Sequence, residues 1–279
     1  MLQEKNINSP INTYVMGFTV WFKELGLEDY SEKVELLRKA GSHGLAMPPG
    51  FVIPDYVFQM FAKQARLDEH LPYLFAGKEP AAQKAFQMQA ILRNEPLMKE
   101  LKEELAENYK AMCIEGKEVS VVVRGPRESI LNVRGEKRLL AAVAEAWAFV
   151  FSESWFEKAS HGTQIPKIDL LVQAQLFGRK SAHAEIHDGK GKVLVNYGIP
   201  LSVMEGNSDS LDYDHGILKP NSFGKNSALF ADPLTGEMEK QAIPDDEKNT
   251  DVLTKAESEL LGKDLVKLSE AVGPSDSVW

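Results

Sequence analysis

The chain has 279 residues and a formal net charge of −9, with 43% hydrophobic and 26% charged residues, as in ordinary globular proteins. The acidic balance and the lack of a dense Lys/Arg block argue against a nucleic-acid partner. No apolar run is long enough to span a bilayer, and the one cysteine, Cys113, cannot form an internal disulfide, so we expect a cytoplasmic protein without a membrane partner.

Helical periodicity dominates the first half of the chain. Apolar residues that recur every three or four positions predict helices at 32–39, from Asp55 to Ala65, at 81–93, at 96–112 and at 136–151. Short β-branched or apolar runs predict strands at 51–53, 119–123 and 130–133. We expect Asp55 to cap its helix, because a carboxylate accepts hydrogen bonds from the first free N–H groups.

The second half of the chain is richer in strands. Predicted strands lie at 168–172, 182–187 and 192–196, with a hairpin turn at 189–192. Gly, Asn, Asp and Ser are frequent over 205–227, which predicts a long irregular loop, and a last helix is predicted at 253–268 with Thr254 near its start. The pattern is α+β, and we divide it into a helical-rich N-terminal subdomain (1–165) and a strand-rich C-terminal subdomain (166–279).

Six groups of residues, taken in order and approximate spacing, resemble one known family. They are Trp21–Gly26; Glu35–Arg38 with Pro48–Ile53; Val122–Arg124 with Leu131–Gly135; Ala146–Phe151; Leu171–Gln173 with Phe177–Gly178; and Leu253–Thr254 with Gly273–Trp279. Over roughly residues 18–279 the chain is similar to the N-terminal, ATP-binding part of phosphoenolpyruvate synthase and pyruvate phosphate dikinase. The resemblance implies an ATP-grasp-like fold, in which two α+β subdomains enclose a nucleotide-type cleft, with ATP and Mg²⁺ as its ligands.

The resemblance assigns binding roles to two residues of this chain. Arg124 matches an arginine that contacts nucleotide phosphate, and Gln173 lies on the strand that borders adenine. Each residue also has a plain structural interpretation. Arg124 is equally suited to pair with a carboxylate, and Gln173 to be an ordinary strand residue.

Four departures from the family pattern predict that the chain has no catalytic residue of its own. Asp29 occupies the position of a phosphate-binding Lys, and we expect the nearby Lys33 to lie on a different face of the turn. The long Ser/Thr/Gly-rich segment after Arg124 is missing. Val278 replaces a Glu that ligates metal, and the Gln and Arg that follow in the family lie beyond Trp279. Because phosphoryl transfer depends on such cations, N–H donors and carboxylates, we expect no transfer by this chain alone.

Three functional hypotheses follow. The first is a phosphoenolpyruvate synthase-like domain that acts as a scaffold or regulatory subunit. The second is the ATP-binding subunit of a split, pyruvate, water dikinase-like phosphotransferase, whose partner carries the phosphohistidine or phosphoenolpyruvate/pyruvate domain. The third is a metal-binding protein that uses His183, Glu185 and His187, which alternate along a strand and so share a face. Such alternation is also typical of a solvated strand face.

Overall fold

The computed structural model describes residues 17–26, 30–160, 164–204, 207–232, 235 and 237–272. It confirms the α+β class, with most helices before residue 160 and most strands after residue 170. The described strands form two larger antiparallel sheets and one separate hairpin. These parts together shape the candidate site.

The first sheet has five antiparallel strands in the order β1-β2-β5-β3-β4. They are β1 (Val20–Trp21), β2 (Gly50–Ile53), β3 (Ser120–Arg124), β4 (Ser129–Arg134) and β5 (Leu170–Ala174). β5 is therefore the central strand, although it follows the predicted subdomain boundary at 165/166. The boundary itself stays a prediction.

Six helices cover one face of this sheet. They are α2 (Asp55–Gln64), α3 (Leu67–Ala76), α4 (Ala81–Asn94), α5 (Lys99–Met112), α6 (Glu136–Ala148) and α7 (Glu153–Lys158). Their apolar stripes and the inward residues of the strands form the largest hydrophobic core. Trp147 of α6 is fully buried and stacks on Phe61 of α2, with ring centroids 4.8 Å apart.

Among the described residues, one helix covers one end of the opposite face of the sheet. Helix α1 (Glu32–Ser42) places Val34 against Val52 of β2 and Leu171 of β5 in a small second core. Strand residues alternate between the two faces, so Val121 points to the helical core and Val122 to the face shared with α1. The part of this face beyond α1 borders the candidate site.

The stretch Glu136–Lys158 is long and apolar enough to cross a membrane by length and composition alone. It is not one continuous helix, because it contains both α6 and α7. Of its most apolar 18-residue window, 61% is buried inside the fold. The stretch thus packs as a core element, which accounts for its apolar composition.

The predicted helix cap at Asp55 is wrong. Pro54 occupies the cap position, and Asp55 is the first residue of α2. Its Oδ1 instead accepts a hydrogen bond from the N–H of Ile168 (2.8 Å), and its own N–H donates to Oδ1 of Asp169 (2.8 Å). The carboxylate therefore joins α2 to the segment that leads into β5.

The second sheet is a four-stranded antiparallel meander, β6-β7-β8-β9. Its strands are β6 (Lys180–His187), β7 (Lys190–Tyr197), β8 (Asp209–Asp214) and β9 (Ile217–Ser222). Helix α9 (Lys255–Val272) packs on one face through a third core. The short helix α8 (Leu201–Met204) and the hairpin of β10 (Ser227–Ala231) and β11 (Met238–Ala242) complete this part.

Strands β8 and β9 contradict the predicted irregular loop over 205–227. Leu211 and Tyr213 are buried against α9, whereas Asp212 and Asp214 between them are exposed. This alternation is the period of a half-buried strand. The frequent Asp, Asn and Ser concealed it because these residues favour turns when they are not placed in a sheet.

A buried ion pair joins β8 to the segments around β10. Lys225 Nζ lies 2.6 Å from Oδ2 of Asp209, and both side chains are almost fully buried. The same ammonium donates to the carbonyl groups of Lys248 (3.2 Å) and Thr250, and Oδ1 of Asp209 accepts from the N–H of Gly224 (3.0 Å). The pair is well satisfied, as a buried charge pair requires.

Candidate functional site

Arg124 and Gln173, the two predicted site residues, lie on the same face of the first sheet. In the antiparallel pairing of β3 and β5, Val122 is opposite Gln173 and Arg124 is opposite Leu171. Because side chains alternate between faces, these four residues share the face turned away from the helical core. Arg124 and Gln173 both line one cavity of about 330 Å³.

The walls of this cavity, which we call the Arg124 cavity, are mainly apolar. They come from β3, β4 and β5 on one side and from the segment after β7 on the other. The other lining residues are Val122, Ser129, Leu131, Gln175, Leu176, Ile199, Pro200 and Leu201. Apolar walls with a few fixed polar groups are typical of sites for small organic ligands.

The segment after β7 is held in place by a close backbone contact at Gly198. Its N–H donates to the carbonyl of Arg179 (2.8 Å), and the N–H of Ile199 donates to the carbonyl of Leu229 (2.9 Å). Gly198 has φ +81°, and a Cβ at this position would lie 2.1 Å from the Leu229 oxygen. Only glycine fits here, so Gly198 fixes the wall that faces the first sheet.

A β-bulge in β4 directs Leu131 into the cavity. The pairing of β3 with β4 shifts register between Val121 and Val123, and Asn132 adopts φ +52°. The N–H of Asn132 donates to Oε1 of Gln175 (2.6 Å). This bond occupies one atom of the Gln175 amide. The amide of Gln173 has no hydrogen bond to a described residue.

The surroundings of Arg124 disfavour the charged form of its side chain. Desolvation in the cleft lowers the pKa of its guanidinium, although part of the side chain stays accessible to solvent. No residue in the described ranges forms an ion pair or a side-chain hydrogen bond with Arg124. The carboxylate partner of the plain structural interpretation is therefore not found there, and the charge is available to an anionic ligand.

Lys33 reaches the same end of the cleft from α1. Its Nζ donates to the carbonyl groups of Gly125 and Pro126, each at 3.2 Å. Lys33 and Arg124 line a second cavity of about 130 Å³, which we call the Lys33 cavity. The position of Lys33 relative to Asp29 stays a prediction, because Asp29 lies outside the described residues. Because Val34 is buried against the sheet, its neighbour Lys33 extends toward the β3–β4 hairpin.

Comparison with known proteins places this cleft in a family. The family "Pyruvate phosphate dikinase, AMP/ATP-binding domain" matches residues 32–277. The chain belongs to the pyruvate phosphate dikinase AMP/ATP-binding domain family. It is also 22% identical, over 264 residues, to the "Uncharacterized phosphotransferase YvkC" of Bacillus subtilis (strain 168). The match covers 87% of this chain and 30% of that relative. The two α+β parts around the cleft fit the predicted ATP-grasp-like fold.

The hairpin between β3 and β4 differs from the phosphate-covering segment expected of this family. Only residues 125–128 connect the two strands, and the N–H of Gly125 donates to the carbonyl of Glu128 (2.9 Å). Pro126 has no N–H group. The carbonyl oxygens of Gly125 and Pro126 face Lys33 at the Lys33 cavity. The loss of the lid stays a prediction.

The described residues of the cleft do not fit the Mg²⁺ ion that the family implies. No acidic residue lines the Arg124 cavity. In the Lys33 cavity, the oxygens of Asp169 accept hydrogen bonds from the N–H groups of Ser31 and Asp55. Glu32 is then the one acidic side chain in these two linings without such a bond. Mg²⁺ needs several oxygen ligands in octahedral geometry, and the linings supply no free carboxylate pair.

Other parts of the predicted site lie outside the described residues. Asp29, at the expected position of the phosphate-binding Lys, belongs to this group. So do Asp276, Val278 and Trp279 in the segment predicted to lack the metal-binding Glu. The predictions made for these residues stay predictions.

The structure contradicts the hypothesis of a metal site at His183, Glu185 and His187. His183 Nε2 lies 3.6 Å from Oε1 of Glu185, whereas His187 pairs with the adjacent Asp188 (3.2 Å). Among the residues that the structure describes, no three His, Cys, Asp or Glu side chains form a group that would hold a metal ion. The side chains share a face as predicted, but they do not converge.

Charge pairing across the sheet explains why these residues alternate. Glu185 is opposite Lys192 on β7, Lys192 is opposite Asp212 on β8, and Asp212 is opposite Lys219 on β9. Opposite charges on neighbouring strands stabilise a sheet by about 0.2–1 kcal/mol per pair. The alternation thus marks a polar sheet face and not a set of ligands.

Proposed function

We propose that this domain binds an adenine nucleotide in the cleft and acts as a regulatory or scaffold subunit that does not transfer phosphoryl groups by itself. The observation that carries the proposal is Arg124. Arg124 is exposed in part, but desolvation still lowers the pKa of its guanidinium. It has no acidic partner among the described residues, and it lines both the Arg124 cavity and the Lys33 cavity. An unpaired cation at the edge of an apolar cavity favours an anionic ligand with a flat apolar part.

The lining of the Arg124 cavity supports adenine as that flat part. Leu131 and Val122 on one side and Ile199 on the other supply apolar contacts for a ring. The amide of Gln173 lies in the same lining and offers both a donor and an acceptor to the polar edge of a base. Membership of an AMP/ATP-binding family agrees with this assignment.

The proposed lack of transfer rests on the other end of the cleft. The short hairpin at 125–128 presents carbonyl groups to Lys33, and the described lining supplies only one carboxylate without a hydrogen bond, that of Glu32, which is too few for Mg²⁺. Phosphoryl transfer depends on positioning and on stabilisation of negative charge, and losing one such group costs about 10²–10³ in rate. The domain is therefore suited to binding more than to catalysis.

Thermal unfolding with AMP, ADP and ATP tests the binding. We expect a rise in melting temperature, because a ligand at a hundred times its Kd stabilises the folded state by about 2.7 kcal/mol. In the Arg124→Gln variant, affinity should fall about tenfold or more, because a charge-assisted hydrogen bond is lost.

Arg127→Gln is the matched control for this experiment. Arg127 lies on the same hairpin but donates to Oγ of Ser154 (2.9 Å) and lines neither cavity. We expect its nucleotide affinity to equal that of the wild type. No thermal shift for wild-type protein at millimolar nucleotide would refute the proposed function.

A split phosphotransferase is the second candidate. It is favoured by the similarity to the uncharacterized phosphotransferase of Bacillus subtilis, of whose length this chain covers 30%. In that case a separate subunit with a phosphohistidine or phosphoenolpyruvate/pyruvate domain would complete the reaction. Transfer of labelled phosphate from ATP to such a subunit, only in the presence of this chain, would decide for it.

We also propose that the domain works in the cytoplasm, without nucleic acid as a partner. Cys113 is half-buried, and its Sγ donates to the carbonyl of Tyr109 (3.3 Å). A free thiol in this position is compatible with a reducing compartment. The partner subunit stays a prediction.

A further inference from the structure

The cations around the cleft differ in whether they are free to meet a ligand. Arg124 has no partner among the described residues. Lys33 already donates to the carbonyl groups of Gly125 and Pro126, and Lys167, which also lines the Lys33 cavity, has a partner as well. In the described lining, the cleft therefore offers one uncommitted cation next to the apolar cavity.

The space beyond Arg124 is unfavourable for a chain of phosphates. A second or third phosphate directed into the Lys33 cavity would approach the carbonyl groups of Gly125 and Pro126 and the carboxyl groups of Glu32 and Asp169. Lys33 would first have to leave its two carbonyl partners. The hairpin offers no compensating donor from Gly125, whose N–H is bonded within the hairpin. Each added phosphate thus brings charge without a matching cation.

We infer that the cleft selects an adenine nucleotide with a single phosphate over ATP, and that it binds this nucleotide without Mg²⁺. This inference rests on the proposed function and adds to it the ligand class. Arg124 holds the one phosphate, and the Arg124 cavity holds the base. No group in the described lining would stabilise the further phosphates or the metal ion of a metal-bound triphosphate.

Calorimetric titration of the full chain with adenosine, AMP and ATP, each with Mg²⁺ and with excess EDTA, tests the inference. We expect AMP to bind about tenfold or more tightly than both adenosine and ATP, because one charge-assisted contact is gained and none is added for further phosphates. The affinity for AMP should be the same with Mg²⁺ and with EDTA.

Two variants separate the contributions of the cations. In Arg124→Gln, AMP should bind no more tightly than adenosine, while unchanged adenosine binding shows that the cleft is still folded. In Lys33→Met, the preference for AMP over adenosine should change less than about threefold, since Lys33 is committed to the hairpin.

The outcomes distinguish this inference from the proposed function. If ATP with Mg²⁺ binds more tightly than AMP, or if EDTA abolishes AMP binding, the inference is wrong while nucleotide binding stands. If none of the three compounds binds, the proposed function is itself wrong.

Discussion

At the scale of single residues, Glu257 shows how one carboxylate joins two elements. It lies in the first turn of α9 and forms an ion pair with Lys180 of β6, with 2.7 Å between Nζ and Oε2. The same oxygen accepts hydrogen bonds from the N–H (2.7 Å) and Oγ1 (2.9 Å) of Thr254. The hydrogen bond from Lys180, followed by those from Thr254, lowers the pKa of Glu257 from 4.5 to about 2.

Replacement of Glu257 by Gln should therefore destabilise the protein in a pH-dependent way. A carboxyl group with a lowered pKa contributes stability above its unfolded-state pKa and loses this contribution as the pH falls. The difference in free energy of unfolding between wild type and variant should be largest above pH 5 or so and shrink as the pH falls from about 4.5 toward about 2. Urea unfolding of both proteins across this pH range measures the difference in free energy of unfolding.

Glu259→Gln is the control, because it removes the same charge from the same helix. Glu259 is exposed and has no hydrogen bond or ion pair to a described residue. Its effect should be small at every pH. An equal loss of stability in both variants at pH 7 would show that net charge, and not the contacts of Glu257, is responsible.

At the same scale, the sequence was sufficient to place two of the predicted site residues on one face of the first sheet, while their binding roles stay predictions. The resemblance suggested Arg124 and Gln173, and the period of a strand places both on the face opposite the buried Val123. Lys33 could not be assigned in this way. Its direction depends on how α1 packs across β2 and β5, and that is a tertiary contact with no local signal.

At the scale of elements, α9 is held against the second sheet by a contact that only glycine allows. Gly262 of α9 faces the turn between β8 and β9, and a Cβ on Gly262 would lie 2.0 Å from the carbonyl oxygen of Gly216. Gly216 has φ +90°, so its own conformation also favours glycine. Helix and turn thus touch backbone to backbone.

The variant Gly262→Ala tests which of two opposing effects on stability is larger, the clash at this contact or the higher helix propensity of alanine. Alanine stabilises a helix by about 1 kcal/mol relative to glycine. The clash with a backbone atom requires α9 or the turn to move, and overpacking of this kind costs about 1–3 kcal/mol. We expect the clash to dominate, with a lower melting temperature and a lower free energy of unfolding.

Gly41→Ala provides the comparison. Gly41 is also helical, but its added Cβ would meet the terminal methyl of Met47 at 2.7 Å, and this methyl belongs to a flexible side chain that can move away. We expect a change within about 0.5 kcal/mol, or a small gain. A stabilised Gly262→Ala variant would contradict the tight contact between α9 and the turn.

The elements differ in how well local patterns reveal them. Helices α4 and α5 were predictable because their apolar residues recur with helical period and the Pro96 region separates them. β8 and β9 were not, because a polar sheet face requires Asp and Asn at positions that otherwise indicate turns. Their strand conformation comes from pairing with β7 and from packing on α9, which are long-range contacts.

At the scale of the whole molecule, the chain crosses between its two parts after β5. The largest core contains Ile168, Leu170 and Val172, all fully buried, in addition to the residues of β2, β3, β4 and six helices. β5 also separates β1 and β2 from β3 and β4 in the first sheet. The predicted subdomain boundary at 165/166 lies before β5, because it was placed where the composition of the sequence changes. The first sheet, however, also needs β5, which comes later in the chain.

Two shortened chains would locate the folding unit. A chain of residues 1–178 keeps β5, so its first sheet and largest core stay whole. We expect cooperative urea unfolding, monitored by tryptophan fluorescence, to which the buried Trp147 contributes. A chain of residues 1–165 lacks the central strand, which divides the sheet and exposes the inward faces of β2 and β3. It should show no cooperative transition, because edge-exposed apolar strands favour association over folding. Cooperative unfolding of the 1–165 chain, with a denaturant dependence equal to that of 1–178, would mean that β5 is not needed to hold the first sheet together.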